Sequence, residues 1–123
     1  MAGPVELIET RPHKAMVILR SLPNRPGIAA ELFTQLGKGG FNVEMISQCG
    51  VSGALADISF AVGEEEVERA IEHLKDSSSL KIRDYSVVRN MGVLTAYGKA
   101  LAYEPGIAGR IFFLLAGKGA VCV

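Results

Sequence analysis

The tetrapeptide Pro26-Gly27-Ile28-Ala29 returns as Pro105-Gly106-Ile107-Ala108, and the echo extends beyond those four residues. At a constant offset of 79, positions 26–40 and 105–119 share seven of fifteen residues, the remaining three being Phe33/Phe112, Leu36/Leu115 and Gly40/Gly119. Each copy follows an apolar run (Ala15–Ser21; Gly92–Leu101) and opens a segment with helical spacing. One strand–turn–helix–strand unit is therefore written twice. A duplicated small unit whose shared residues lie in a turn suggests paired recognition more than a single catalytic cleft.

The chain of 123 residues has room for one ordinary domain, or one small domain and part of another. An apolar fraction of 49% with 21% charged residues supports a packed core and excludes disorder. Thirteen basic and thirteen acidic residues cancel, which argues against nucleic-acid or anionic-membrane surfaces. No apolar run approaches the roughly 18–20 residues of a membrane span. The opening Met-Ala-Gly-Pro-Val-Glu lacks a charged-then-apolar export pattern, so a cytoplasmic location is expected. Cys49 and Cys122 have no metal spacing around them and read as small apolar filler.

Val5–Thr10 reads as a short strand closed by Arg11-Pro12, and Ala15–Ser21 as a central strand. Pro23–Gly27 is a turn into a helix whose apolar face is Ile28, Ala29, Leu32, Phe33 and Leu36. Gly37-Lys38-Gly39-Gly40 stops that helix. Val43–Val51 and Ala54–Val62 form a hairpin turning at Ser52-Gly53, with Ala56, Ile58, Phe60 and Val62 on one face. Glu64–Glu66 open a second helix with a buried stripe of Val67, Ala70, Ile71 and Leu74, and Leu80–Val88 is a fourth strand. The order β-α-β-β-α-β, with one apolar face per element, is satisfied by two helices on one side of an antiparallel sheet: an α+β, ferredoxin-like fold. The second copy supplies strand Gly92–Leu101, turn Ala102–Gly106, helix Ile107–Ala116 and a strand stub, Ala120–Val123.

Three strings, Asn24-Arg25-Pro26-Gly27-Ile28-Ala29, Gly40–Gln48 and Asp57–Val62, together with the second Pro-Gly-Ile-Ala, resemble the ACT domain. More narrowly, the chain is similar to the tandem ACT regulatory region of aspartate kinases. The resemblance implies a first ACT domain over 13–90 and a partial second unit over 91–123, with strand 5–10 pairing with the second. It implies an amino-acid effector, lysine or threonine first, and a kinase catalytic domain or subunit as partner. The family's turn usually carries Asp where this chain has Asn24, which removes a charge that could meet an effector's ammonium group.

The backbone N–H groups of Gly27, Ile28 and Ala29 open a helix, a ready place for a carboxylate. Gly27 lets a ligand approach the backbone closely. The alternative is an ordinary strand-to-helix turn. The amides of Asn42 and Gln48, with Glu44, suit a zwitterion, or else are strand-edge polarity. By resemblance the effector site comprises Asn24, Arg25, Pro26, Gly27, Ile28 and Ala29, then Asn42, Val43, Glu44, Met45, Ile46 and Gln48, and Gly106, Ile107 and Ala108 of the second copy. Gly37–Gly40 and Gly117–Gly119 follow helices and lack the GxxxxGK[ST] pattern, so they are helix stops and not phosphate loops. His13 and His73 have no partner at ligand spacing, and His73 is expected to face solvent. Glu64–Glu68 reads as a solvated helix face. No catalytic constellation, metal site or cofactor site emerges.

The expectation is a regulatory, effector-binding module without catalytic residues. Its alternatives are a pure oligomerisation module, or an acylphosphatase-like hydrolase in which Arg25 and Asn42 would act. An RNA-binding sheet is disfavoured by neutral charge and the lack of paired strand aromatics. The second unit lacks a hairpin partner and covering helix, so the chain is expected to form a homodimer or larger assembly.

Overall fold

The computed structural model describes residues 5–77 and 79–121. Its elements are β1 (Leu7–Pro23), α1 (Ile28–Lys38), β2 (Glu44–Ser52), β3 (Leu55–Gly63), α2 (Val67–Lys75), β4 (Asp84–Tyr97) and α3 (Ile107–Gly117). Short 3-10 turns lie at Glu64–Glu66 and Lys99–Ala102. The described residues divide into two compact units, one of Arg11–Val93 and one built from residues 5–10 and 94–121.

In the Arg11–Val93 unit the strands form one antiparallel sheet in the order β2-β3-β1-β4. The chain order β-α-β-β-α-β with this strand order is the ferredoxin-like arrangement. Alternation decides the buried face: Ala15, Val17 and Leu19 of β1 and Ala56, Ile58, Phe60 and Val62 of β3 are buried. Ile28, Leu32 and Leu36 of α1 and Val67, Ala70, Ile71 and Leu74 of α2 meet them, matching the stripes at helical spacing. Phe33 meets Phe60 edge-to-face, with ring centroids 5.8 Å apart.

Several boundaries differ from expectation. Pro12 does not close a first strand, because β1 runs unbroken from Leu7 to Pro23. The β1–β3 ladder begins at Lys14, so the missing N–H of Pro12 costs that ladder nothing, and His13 absorbs the bend at φ 60°. Likewise Leu80–Val88 and Gly92–Leu101 are not separate strands. Leu80 is a buried core residue ahead of β4, Asn90 bends β4 at φ 56°, and the chain after Tyr97 passes into a 3-10 turn. Asparagine tolerates that left-handed conformation better than most residues. The hairpin turns at Gly53-Ala54, one residue later than the Ser52-Gly53 signal.

His73 does not face solvent. Its Nε2 lies 2.7 Å from the carbonyl oxygen of Gln35, at the end of α1, and its ring packs near Phe41. Cys49 is exposed on edge strand β2, so it is no core filler, while Cys122 lies outside the described residues. The Glu64–Glu68 face is engaged rather than merely solvated: Glu64 accepts the Asn90 N–H at 3.2 Å, and Glu68 pairs with Arg89. Both contacts join the start of the helical segment to β4.

In the other unit, the Glu6 N–H donates to the Tyr97 carbonyl at 2.7 Å, tying the chain ahead of β1 to the end of β4. On α3, Ile107 is buried, whereas Phe112, Phe113 and Leu114 are 57%, 78% and 68% exposed. Ala120 and Val121 carry no regular structure, so the expected strand stub does not form there; its last two residues lie outside the described ones.

Candidate functional site

The sequence repeat is also a repeat of backbone shape. Gly27 and Gly106 both precede their helices at φ 88°, and Gly40 and Gly119 both follow them at φ 82°. The paired hydrogen bonds recur as well: Glu31 N–H to Gly27 C=O at 2.9 Å and Arg110 N–H to Gly106 C=O at 3.1 Å. After the helices, Phe41 N–H reaches Leu36 C=O at 3.1 Å and Ala120 N–H reaches Leu115 C=O at 3.0 Å. These left-handed positions favour glycine, which explains why the glycines are among the residues the two copies share.

In the Arg11–Val93 unit the first turn borders a cleft of about 490 Å³, lined by residues 24–30 and by Gln48 of β2. The turn is held on both sides. Asn24 N–H donates to Ala54 C=O at 2.9 Å, fixing the turn to the β2–β3 hairpin, and Ile28 N–H donates to Arg25 C=O at 3.2 Å. The Ile28 N–H is thus used within the turn. The N–H groups of Ala29 and Ala30 have no acceptor inside the helix, and no side chain caps α1. Ala30 therefore joins the site in place of Ile28 as an amide donor, a residue the sequence reading did not single out. Nothing lies within 4 Å of where a Cβ on Gly27 would sit, so the approach to this backbone is open.

One charged network adjoins the cleft. Arg25 Nη2 lies 2.7 Å from Glu31 Oε2, and the other oxygen of Glu31 accepts the Ser79 hydroxyl. The Ser79 hydroxyl, followed by the Arg25 guanidinium, holds the Glu31 carboxyl below the usual carboxylate range. Glu31 could have been suspected from its place in the first turn of α1. Ser79, 48 residues away, carries no sequence signal for this contact.

The remaining candidates are placed elsewhere. Asn42 is exposed ahead of β2, and Val43 is half-buried against the core. Glu44 pairs with Arg11 and lies 3.9 Å from Lys14. Met45, at φ 54°, starts a bulge between Glu44 and Ser47 that leaves Met45 and Ile46 both exposed on the edge strand. Of the residues from 42 to 48, Gln48 alone lines the cleft. Gly106, Ile107 and Ala108 belong to the other unit, at the start of α3. There, Tyr103-Glu104 stands at the offset positions of Asn24-Arg25. Among the described residues no group of three or more His, Cys, Asp or Glu could hold a metal ion, and no helix is long and apolar enough to cross a membrane.

Comparison with known proteins gives a consistent result. A family model for the ACT domain matches residues 16–77. The aspartokinase of Geobacillus stearothermophilus is 28% identical over 90 residues, covering 73% of this chain and 21% of that protein. The aspartokinase of Thermus thermophilus is 30% identical over 110 residues, covering 86% of this chain and 27% of that protein. The chain thus spans about a quarter of the length of the curated relatives it matches. Among solved structures, the ligand-free regulatory subunit of aspartate kinase from Thermus thermophilus superposes with a TM-score of 0.79 at 25% identity, covering 97% of this chain and 79% of that one. The chain belongs to the ACT domain family, and what it resembles within that family is the regulatory region of aspartate kinases.

Proposed function

We propose that this chain is the effector-sensing module of an aspartate kinase, binding a free amino acid and performing no chemistry itself. The observation that carries the reading is the cleft at the first turn. It presents the uncapped N–H groups of Ala29 and Ala30 and the positive end of the α1 dipole to a carboxylate, with the Asn24 and Gln48 amides beside them. A carboxylate and an ammonium on one carbon need donors and acceptors within a few ångströms of each other, and amides offer both. Lysine and threonine are the first effectors to try. An effector that binds two arrangements of the protein unequally biases an attached or associated kinase domain between them, in the cytoplasm where such metabolism runs. On this reading residues 91–123, with residues 5–10, belong to a second ACT unit.

The test is a thermal-shift screen of the folded chain against the twenty amino acids. At a hundredfold excess over Kd, the bound state gains about 2.7 kcal/mol, which moves the melting point visibly. Flat curves across the whole panel refute the effector reading. They would leave the oligomerisation module, which the exposed Phe112, Phe113 and Leu114 favour. The hydrolase reading loses ground because Arg25 is paired with Glu31 and Asn42 does not line the cleft.

A further inference from the structure

The cleft has a charge pattern that bears on which amino acid it admits. Its polar side chains are Asn24, Arg25 and Gln48: two amides and a cation. No carboxylate lines it among the described residues. The nearest acid in the network, Glu31, sits outside the lining, and each of its oxygens already accepts a hydrogen bond, one from Arg25 and one from Ser79. The N-terminus of α1 adds a partial positive charge at the same place.

We propose that Arg25 makes this cleft a site for an amino acid with a neutral side chain, and excludes a cationic one in two ways. Its own charge repels a second ammonium or guanidinium group, and its bond to Glu31 occupies the acid that such a group would need. A hydroxyl or carboxamide side chain, by contrast, meets the Asn24 and Gln48 amides, either of which can donate or accept. Specificity here comes from the repulsive element as much as from the attractive ones. The proposal rests on the effector reading and narrows it: of the two first effectors, threonine fits and lysine does not.

Calorimetry on the whole chain at low salt tests it, with L-threonine, L-serine and L-asparagine as neutral probes and L-lysine and L-ornithine as cationic ones. With no free acid among the described lining residues to pair with a second cation, and the positive end of α1 beside it, at least one neutral probe should bind about tenfold or more tightly than either cationic probe, a difference of about 1.4 kcal/mol. Arg25→Gln and Arg25→Met should close that gap chiefly by strengthening lysine and ornithine. The side chain is 44% exposed, so both variants should melt as cooperatively as the parent chain. Lysine binding the parent chain as tightly as every neutral probe overturns the proposal and leaves the effector reading standing. A gap unchanged in both variants removes Arg25 from the role. Silence from all twenty amino acids in the screen is a different failure, that of the effector reading, and the proposal falls with it.

Discussion

Gly27 and Gly37 lie at opposite ends of α1, and an alanine at either would put its Cβ in open space, since nothing stands within 4 Å. Contacts alone would make Gly27→Ala and Gly37→Ala equally harmless. The backbone says otherwise. Gly27 sits at φ 88°, where an L side chain crowds its own carbonyl at a cost of roughly 1–2 kcal/mol. Losing glycine's freedom in the unfolded chain returns about 0.4–1 kcal/mol, so Gly27→Ala should destabilise by about 1 kcal/mol. Gly37 is within the helix, with no positive φ, and Gly37→Ala should stabilise by about 0.5–1 kcal/mol. Urea denaturation reads both signs, and in a chain of this size the melting points should separate by several degrees. Gly27→Val adds a branched side chain over the cleft. It should weaken amino-acid binding by about tenfold while Gly37→Ala leaves the affinity unchanged. Equal effects of the two alanines on stability would refute the conformational argument. An unaltered affinity in Gly27→Val would show that the ligand does not approach this turn.

The Glu31 carboxyl is held below its ordinary range by Ser79 and then Arg25, so folding favours its ionised form. The stability this provides is complete above the ordinary carboxylate pKa and is lost as pH falls through the lowered value. Glu31→Gln should therefore flatten part of the acid limb of a stability-versus-pH curve, and an unchanged limb refutes the assignment. On α3, Phe112, Phe113 and Leu114 are large apolar side chains left exposed around the helix, which solvent alone covers poorly. Light scattering at micromolar concentration should give a dimer or larger, and Phe113→Glu should shift it toward monomer; a clean monomer of the parent chain defeats this prediction.

The pattern of single residues carried most of the fold. The stripes at helical spacing in α1 and α2 and the alternation in β3 named the buried faces correctly, because burial follows directly from period when an element has one covered side. The repeat pointed to the turn, and the αL glycines show why: few residues besides glycine can sit there at low cost. Strand ends were a tertiary matter. Whether Pro12 breaks a strand depends on where the neighbouring ladder begins, and whether β4 is one strand or two depends on a bend at Asn90 that its neighbours stabilise. The cleft was legible in part. Residues 24–29 are contiguous and announce themselves, but Gln48 enters it, and residues 42–46 do not, because of where the bulge at Met45 sets the register of β2. The Arg25–Glu31–Ser79 network lay furthest beyond reach, since a hydrogen bond across 48 residues exists only once the helices have packed and brought a loop serine to the first turn of α1. Local periodicity and backbone conformation are written residue by residue; register and long-range polar contacts are settled by how the packed elements meet.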